Sequence, residues 1–131
     1  MSTSPFDVVV SSGSLRPGPD EGVEFPHQWT ADEVVVQSAF TGAHLLHLSI
    51  AGCVLNDVHR EAETLGLALD GVRVTAGGDF DRQSWHSNGV EYSIEVDSEH
   101  SDSDIVRLIG VVDEVAEIPK AVRAEASVTR T

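Results

Sequence analysis

The sequence predicts an α+β fold in which an antiparallel sheet packs against a long helix. Strand-like segments, rich in β-branched residues, cluster apart from two helical segments, which favours an antiparallel sheet over parallel crossovers. One stretch, Gly42 to Leu65, has no proline and carries apolar residues at helical spacing. The predicted element order is β-β-β-α-β-β-α-β, in one domain of residues 1–131.

Three short strands are expected before the long helix. Phe6 to Val10 is a β-branched run, and the Ser-, Gly- and Pro-rich segment Ser11 to Gly22 predicts a loop or a wide turn. Val23 to Thr30 and Val34 to Phe40 have the composition of two further strands. The intervening Ala31-Asp32-Glu33 predicts the turn between them.

The long helix has a start signal and a stop signal. Thr41 is a suitable N-cap, and Gly66 is a suitable C-terminal stop. A helix of this length spans about 36 Å, which is the width of a small domain. We therefore expect it to run through the core.

A hairpin and a second helix are expected after it. The two predicted strands of the hairpin are Val72 to Phe80 and Val90 to Asp97, and the loop Asp81 to Gly89 joins them. The second strand alternates cleanly between apolar and polar residues. Ser101 and Asp104 resemble a capping box, and the apolar run after them predicts a helix that ends before Pro119. A last strand is predicted over Ala124 to Arg130.

Composition excludes several classes of protein. The 131 residues contain 8 Lys+Arg against 22 Asp+Glu, a net charge of −14, which disfavours binding to nucleic acid or to an anionic membrane. A single cysteine, Cys53, excludes an intrachain disulfide. Neither a signal sequence nor a membrane span is apparent, so a cytoplasmic location is expected.

Cys53 lies on a distinctive stripe of the long helix. The opposite stripe is apolar, whereas small and polar residues flank Cys53 and permit a close approach by a packed helix, a second subunit or a small ligand. Thiolate formation needs a nearby cation or base, and Asp57, one turn away, opposes it. An activating group must therefore come from elsewhere in the fold or from another subunit; otherwise Cys53 is an ordinary buried cysteine. The other residues of this stripe are Leu46, Ser49, Gly52, Asn56 and Arg60.

Histidines raise the alternative of a metal site. His44 and His47 are three residues apart on one helix face, but the spacing is not that of an HExxH motif. Ordinary hydrogen bonds near the helix start are expected for them, and neither a metal nor a cofactor is predicted. His86 and His100 are expected in solvent, and Trp29 and Trp85 in the core.

The long helix resembles one family. His44 to Cys53 reads HLLHLSIAGC, which is similar to the cysteine-bearing run ELL-x-x-S-hydrophobic-A-[AG]-C of the central helix in OsmC/Ohr proteins. Leu69 to Val74 is similar to the family's l-x-G-V-x-V, and Ala31-Asp32-Glu33 to its aDE. The resemblance covers most of residues 23–131, and the predicted element order matches that of the family.

The resemblance implies an intertwined homodimer with active sites at the interface. Family members reduce organic hydroperoxides with two cysteines, and an Arg and a Glu hold the first thiolate. Here the first cysteine is Cys53, but the second cysteine's Cys-Pro pair reads Ile118-Pro119. The position of the Glu falls at Ala43, next to His44, and Arg16 is the candidate arginine.

Three functions follow as hypotheses, and the third is the histidine-based metal-binding module raised above. The first is a peroxide-defence protein, acting as a one-Cys hydroperoxide reductase with Cys53 and Arg16 as catalytic residues and an external thiol as reductant. The second is a non-catalytic protein of the same fold that binds a small apolar ligand or a protein at the interface beside Cys53. The predicted binding residues are His44, His47, Ser49 and Asn56.

Overall fold

Five strands and three helices form the fold in a computed structural model that describes residues 3–131. The strands make one antiparallel sheet in the spatial order β2-β3-β1-β4-β5. The predicted α+β class with an antiparallel sheet is confirmed. The elements are β1 (Val8–Gly13), β2 (Val23–Phe25), β3 (Val34–Gln37), α1 (Gly42–Leu65), β4 (Gly71–Gly77), β5 (Glu91–Asp97), α2 (Asp102–Val115) and α3 (Glu117–Arg123).

One face of the sheet is apolar and packs against α1. Val8 and Val10 of β1 lie opposite Ala76 and Val74 of β4, so their side chains share this face. Fully buried residues of α1, among them Val54, complete the core. Apolar residues of the neighbouring strands extend the same face: Val34, Val36, Val72, Tyr92, Ile94 and Val96.

Helix α1 has the predicted bounds because both of its caps form. The Thr41 hydroxyl accepts a hydrogen bond from the His44 amide at 3.2 Å, and Gly66 adopts a left-handed conformation with φ of 71°. The helix contacts β1, β4, α2 and α3. The prediction that it runs through the core is confirmed.

The strand predictions differ from the structure mainly at their ends. The first strand extends through Ser11 and Ser12, which pair with β4 and are fully buried, and it ends at Gly13. Gly13 has φ of 57°, and a Cβ there would collide with the Asp70 carbonyl, so this turn requires glycine. The second strand ends at Phe25, before Pro26, which has no amide hydrogen to pair with a neighbouring strand.

The chain end departs further from prediction. Helix α2 begins at the predicted cap, where the Ser101 hydroxyl accepts a hydrogen bond from the Asp104 amide at 3.3 Å. A third helix, α3, then contains Pro119, which its first turn tolerates because amide hydrogens there have no partner within the helix. The predicted strand over 124–130 is wrong: that segment is irregular and exposed, and its one large apolar side chain, Val128, is 97% exposed.

Four predictions about exposure have mixed outcomes. Trp85 is 67% exposed, so its expected core position is wrong, whereas Trp29 is half-buried. His86 is exposed as expected, but His100 is half-buried and accepts a hydrogen bond from the Ala68 amide at 3.1 Å. Among the helices of residues 3–131, none combines the length and the apolar character needed to span a membrane.

Candidate functional site around Cys53

Cys53 is half-buried on α1, where α3 packs against that helix. Its Sγ lies 3.8 Å from Asp57 Oδ2 and donates a weak hydrogen bond to it. The Sγ atom and one carboxylate oxygen each from Asp57 and Glu117 lie within 4.8 Å of one another. The thiol therefore faces two acidic groups, one from its own helix and one from the first turn of α3.

Asp57 is almost completely buried and is neutralised by an arginine. Its side chain is 3% exposed, and Arg60 Nη2 lies 3.0 Å from Asp57 Oδ1. Arg60 also approaches Glu61 at 3.5 Å. The predicted cation on the cysteine stripe thus pairs with carboxylates. Burial raises the pKa of the Asp57 carboxyl, and the charge of Arg60 opposes this rise.

Burial raises the pKa of the Cys53 thiol above its ordinary value, because the thiolate loses hydration. The carboxylates of Asp57 and Glu117 raise this pKa further, whereas the backbone amides of Ile118 and Glu117 lower it. The predicted opposition of Asp57 to a thiolate is therefore present. Within the described chain the balance favours the protonated thiol at neutral pH.

The predicted catalytic Arg16 has its interactions on another part of the fold. Its guanidinium donates to the carbonyls of Gly13 and Glu33, and Nη2 lies 3.6 Å from a carboxylate oxygen of Asp32. These partners hold Arg16 beside the loop that joins β2 and β3. The structure of the single chain does not bring it to Cys53.

Three of the four predicted binding residues form hydrogen bonds near the start of α1. His44 Nδ1 lies 2.6 Å from the Thr41 hydroxyl, and Ser49 donates to the carbonyl of Leu46. His47 is fully buried and donates from Nδ1 to the carbonyl of Phe6 at 2.8 Å. These are ordinary structural hydrogen bonds of the kind expected for the two histidines.

Asn56 is the predicted binding residue that lines a cavity. This cavity, of about 390 Å³, lies between α1 and the segment 25–29. His27 donates from Nε2 to Asn56 Oδ1 at 3.0 Å and so ties that segment to the helix. Apolar side chains, including Phe25 and Leu48, form most of the wall.

Comparison with protein families shows which family the chain belongs to. The model of the OsmC family, described as OsmC-like protein, matches residues 36–130. The chain belongs to the OsmC-like family. That match contains the whole of α1 and both helices that follow the sheet.

Solved structures give the same fold for this OsmC-like protein. An OsmC-like protein from Mycoplasma pneumoniae has a TM-score of 0.60 at 11% identity, over 88% of this chain and 85% of that one. An OsmC-like hydroperoxide resistance protein from Jannaschia sp. CCS1 has a TM-score of 0.53 at 13% identity, over 96% of this chain and 92% of that one. No curated protein matches the chain.

Sequence reasoning from the residues alone missed Glu117, since its approach to Cys53 depends on the unpredicted α3 of this OsmC-like protein. The Ile118-Pro119 pair, found by resemblance, was the available signal: the Ile118 amide does lie against Cys53.

One group of side chains has the spacing of a metal-binding site. It consists of Cys53, Asp57 and Glu117, and no histidine of residues 3–131 belongs to it. The histidine-based alternative therefore has no geometric support among these residues.

Proposed function

We propose that this OsmC-like protein defends against peroxide as a thiol-dependent reductase of organic hydroperoxides. Cys53 is the reacting residue, and an external thiol is the reductant. The observation that supports this most directly is the position of Cys53, half-exposed at the motif position of the central helix, with Ile118 at the second-cysteine position packed beside it. The similar Jannaschia structure is that of a hydroperoxide resistance protein.

The proposed cycle needs two thiols from outside the chain. The Cys53 thiolate attacks the terminal oxygen of a hydroperoxide, the O–O bond breaks, and the alkoxide takes up a proton and leaves as an alcohol. Cys53 is then a sulfenic acid. One external thiol forms a mixed disulfide with it and releases water, and a second thiol attacks that disulfide and restores Cys53. The net reaction converts one hydroperoxide and two thiols into an alcohol, water and one disulfide.

Activation of the thiol is the demanding step in this proposal. Asp57 and Glu117 oppose ionisation, and the two amides of α3 favour it only partly. We propose that a second copy of the chain supplies the missing cation. Arg16 of the partner subunit is the candidate for this role, because its own chain holds it with 30% of its side chain exposed.

Exposed apolar side chains support a homodimer. Phe40 immediately precedes α1 and is 90% exposed, and Leu45 on the first turns of that helix is partly exposed. Val23 and Phe25 lie on the edge strand β2 and are also exposed. Large apolar groups around the start of the central helix and on an unpaired edge are typical of a surface that a second subunit covers.

A peroxide-consumption assay tests the reductase proposal. Wild-type protein is expected to consume cumene hydroperoxide in the presence of a dithiol such as dithiothreitol, above the uncatalysed rate. Cys53→Ser is expected to abolish this excess, while Thr64→Ala, at an exposed position near the end of the same helix, is expected to retain it. Equal rates for wild type and Cys53→Ser would overturn the proposal.

A second candidate function is binding without catalysis. The observation that favours it is the apolar cavity of about 390 Å³ beside Gly52 and Asn56, together with a thiol that its own chain keeps protonated. Native mass spectrometry of freshly purified protein is expected to show a bound small apolar molecule in this case. Gly52→Leu is expected to fill the cavity and prevent this molecule from binding. A native mass of the wild-type protein equal to its denatured mass would show that no molecule is bound and would contradict the binding function.

A further inference from the structure

A separate cavity opens beside the loop that joins β4 to β5. It has a volume of about 430 Å³, within the range of small-ligand sites, and Cys53 does not line it. Its walls come from Pro5 and Phe6, before β1, and from residues 79–85 of the loop. A smaller apolar cavity of about 370 Å³ shares three of its aromatic residues and extends to the start of α1.

Three aromatic rings form the shared wall. Phe6 and Phe80 pack edge to face, with ring centroids 5.6 Å apart and an interplanar angle of 86°. Trp85 lines the same two cavities at 67% exposure, and its amide donates to the Asp81 carbonyl at 2.8 Å. An exposed tryptophan beside two further aromatic residues on the wall of one cavity forms a contiguous apolar patch, which is typical of binding sites.

Two opposite charges line the larger cavity without neutralising each other. Asp79 and Arg82 both belong to its wall. Among residues 3–131, neither side chain has a hydrogen bond or an ion pair within 4 Å, although four other arginines of this acidic protein are paired with carboxylates. An ammonium group can approach Asp79 and the ring faces, while a carboxylate can approach Arg82.

We propose that this cavity binds a small zwitterion with an apolar body, of the free aromatic amino acid type. Its ammonium group pairs with Asp79, its carboxylate pairs with Arg82, and its ring occupies the apolar space between Phe6, Phe80 and Trp85. The smaller cavity, walled by Ala43 and Leu46, gives room for that ring. Cys53 lines neither cavity, so binding is measured separately from the peroxide chemistry.

Three probes of similar shape separate the two charge contacts. L-phenylalanine carries both charges, 3-phenylpropionate lacks the ammonium group, and 2-phenylethylamine lacks the carboxylate. Calorimetric titration at pH 7 is expected to give L-phenylalanine a dissociation constant on the order of a millimolar. We expect the other two probes to bind roughly two- to fivefold more weakly, because each of them loses one solvent-exposed charge pair.

Charge-neutral variants then assign each contact. Asp79→Asn is expected to bind L-phenylalanine only as tightly as the wild type binds 3-phenylpropionate. Arg82→Gln is expected to bind it only as tightly as the wild type binds 2-phenylethylamine. Asp20→Asn and Arg107→Gln are matched controls at exposed positions and are expected to change nothing. Trp85 emission in a Trp29→Phe background is expected to respond to L-phenylalanine.

The proposal is overturned by any of three results. The first is no heat of binding with L-phenylalanine up to about 20 mM. The second is equal affinity for the three probes. The third is an equal loss of affinity in the control variants, which would show a general effect of charge rather than contacts in this cavity. Thermal unfolding of each variant identifies any loss of binding that comes from a loss of fold.

Discussion

Asp57 and Glu117 control the charge state of Cys53 from two sides. Asp57 is buried on the same helix and accepts the weak hydrogen bond of the thiol, while Glu117 is an exposed residue that α3 brings to it. Replacement of Asp57 is expected to cost more folding stability than replacement of Glu117. Asp57 is buried and paired with Arg60, whereas Glu117 is exposed. They therefore give two independent tests of the same electrostatic effect.

Asp57→Asn and Glu117→Gln are each expected to lower the pKa of the Cys53 thiol, because each removes a negative charge that opposes the thiolate. The rate of alkylation by iodoacetamide, measured against pH, reports this pKa. Asp57→Asn should have the larger effect, since it also leaves Arg60 without its closest partner. Glu114→Gln, on an exposed position of α2, is the control. An unchanged or raised pKa in both variants contradicts the electrostatic account.

His59 should make stability depend on pH. Its ring shares a hydrogen bond of 2.8 Å with the buried Ser12 hydroxyl, and burial, together with the neighbouring His27, lowers its pKa to about 4 from 6.5. Above pH 6.5 the ring is neutral in both states and the protein has its full stability. As pH falls from 6.5 towards 4, the unfolded chain takes up a proton that the folded chain does not, so stability decreases.

The expected loss over this interval is roughly 1–2 kcal/mol, which allows for the partial exposure of the ring. Urea unfolding at pH 7.5 and pH 5 measures it. His59→Gln should show a smaller decrease between the two pH values than the wild type. His86→Gln, in an exposed loop, should match the wild type. The same pH dependence in His59→Gln as in wild type would rule out this residue as the source.

At the level of elements, α3 is the part of the fold that completes the site. It presents Ile118, which the resemblance matches to the second cysteine of OsmC/Ohr proteins, and the Ile118 amide lies against Cys53. The C-terminal side of α3 is tied back by Arg123, which donates to Asp113 at 3.1 Å, and Tyr92 donates to the same carboxylate. These contacts hold α3 on α2 and β5, so the first turn of α3 has a defined position.

Ile118→Cys is therefore expected to create a two-cysteine site. After one equivalent of hydroperoxide, the Cys53 sulfenic acid should condense with the new thiol to give an intrachain disulfide, with loss of water. Non-reducing peptide mapping detects this disulfide. Val115→Cys, one turn earlier at the end of α2, is a matched control that should not form it. Failure of Ile118→Cys to form the disulfide while Cys53 is oxidised would show that the two positions do not meet.

Some elements could be predicted from local sequence and others could not. Helix α1 and its two caps follow from Thr41, Gly66 and the apolar spacing between them, because those signals act within a few residues. Helix α3 was missed because Pro119 usually ends a helix, and its tolerance depends on lying in a first turn. The predicted strand after it has small residues and Val128, too little apolar surface to fix a strand on the sheet.

The candidate site shows the same division. The opposition of Asp57 to the Cys53 thiolate could be predicted, since both residues lie on one helix at i and i+4. The approach of Glu117 could not, because it depends on tertiary packing between α1 and α3. The location of Arg16, beside Asp32 rather than Cys53, likewise depends on how the loops fold over the sheet.

At the scale of the whole molecule, the proposed homodimer gives a direct prediction. Light scattering at micromolar concentration is expected to give twice the 14.0 kDa mass of a single chain. Phe40→Asp places a charge in the exposed apolar surface before α1 and should shift the mass towards one chain. Val128→Asp, at an exposed position outside that surface, is the control. A mass of a single chain for the wild type contradicts the dimer and removes Arg16 of the partner subunit as an activator.

The central claim is that Cys53 is oxidised by an organic hydroperoxide, and trapping of its sulfenic acid tests this most directly. Protein treated with cumene hydroperoxide and dimedone is analysed by peptide mass spectrometry. We predict one dimedone adduct per chain, located on Cys53 and absent from Cys53→Ser. No adduct on a folded, reduced wild-type protein, together with a Cys53 thiol pKa at or above about 8.5, would contradict the account.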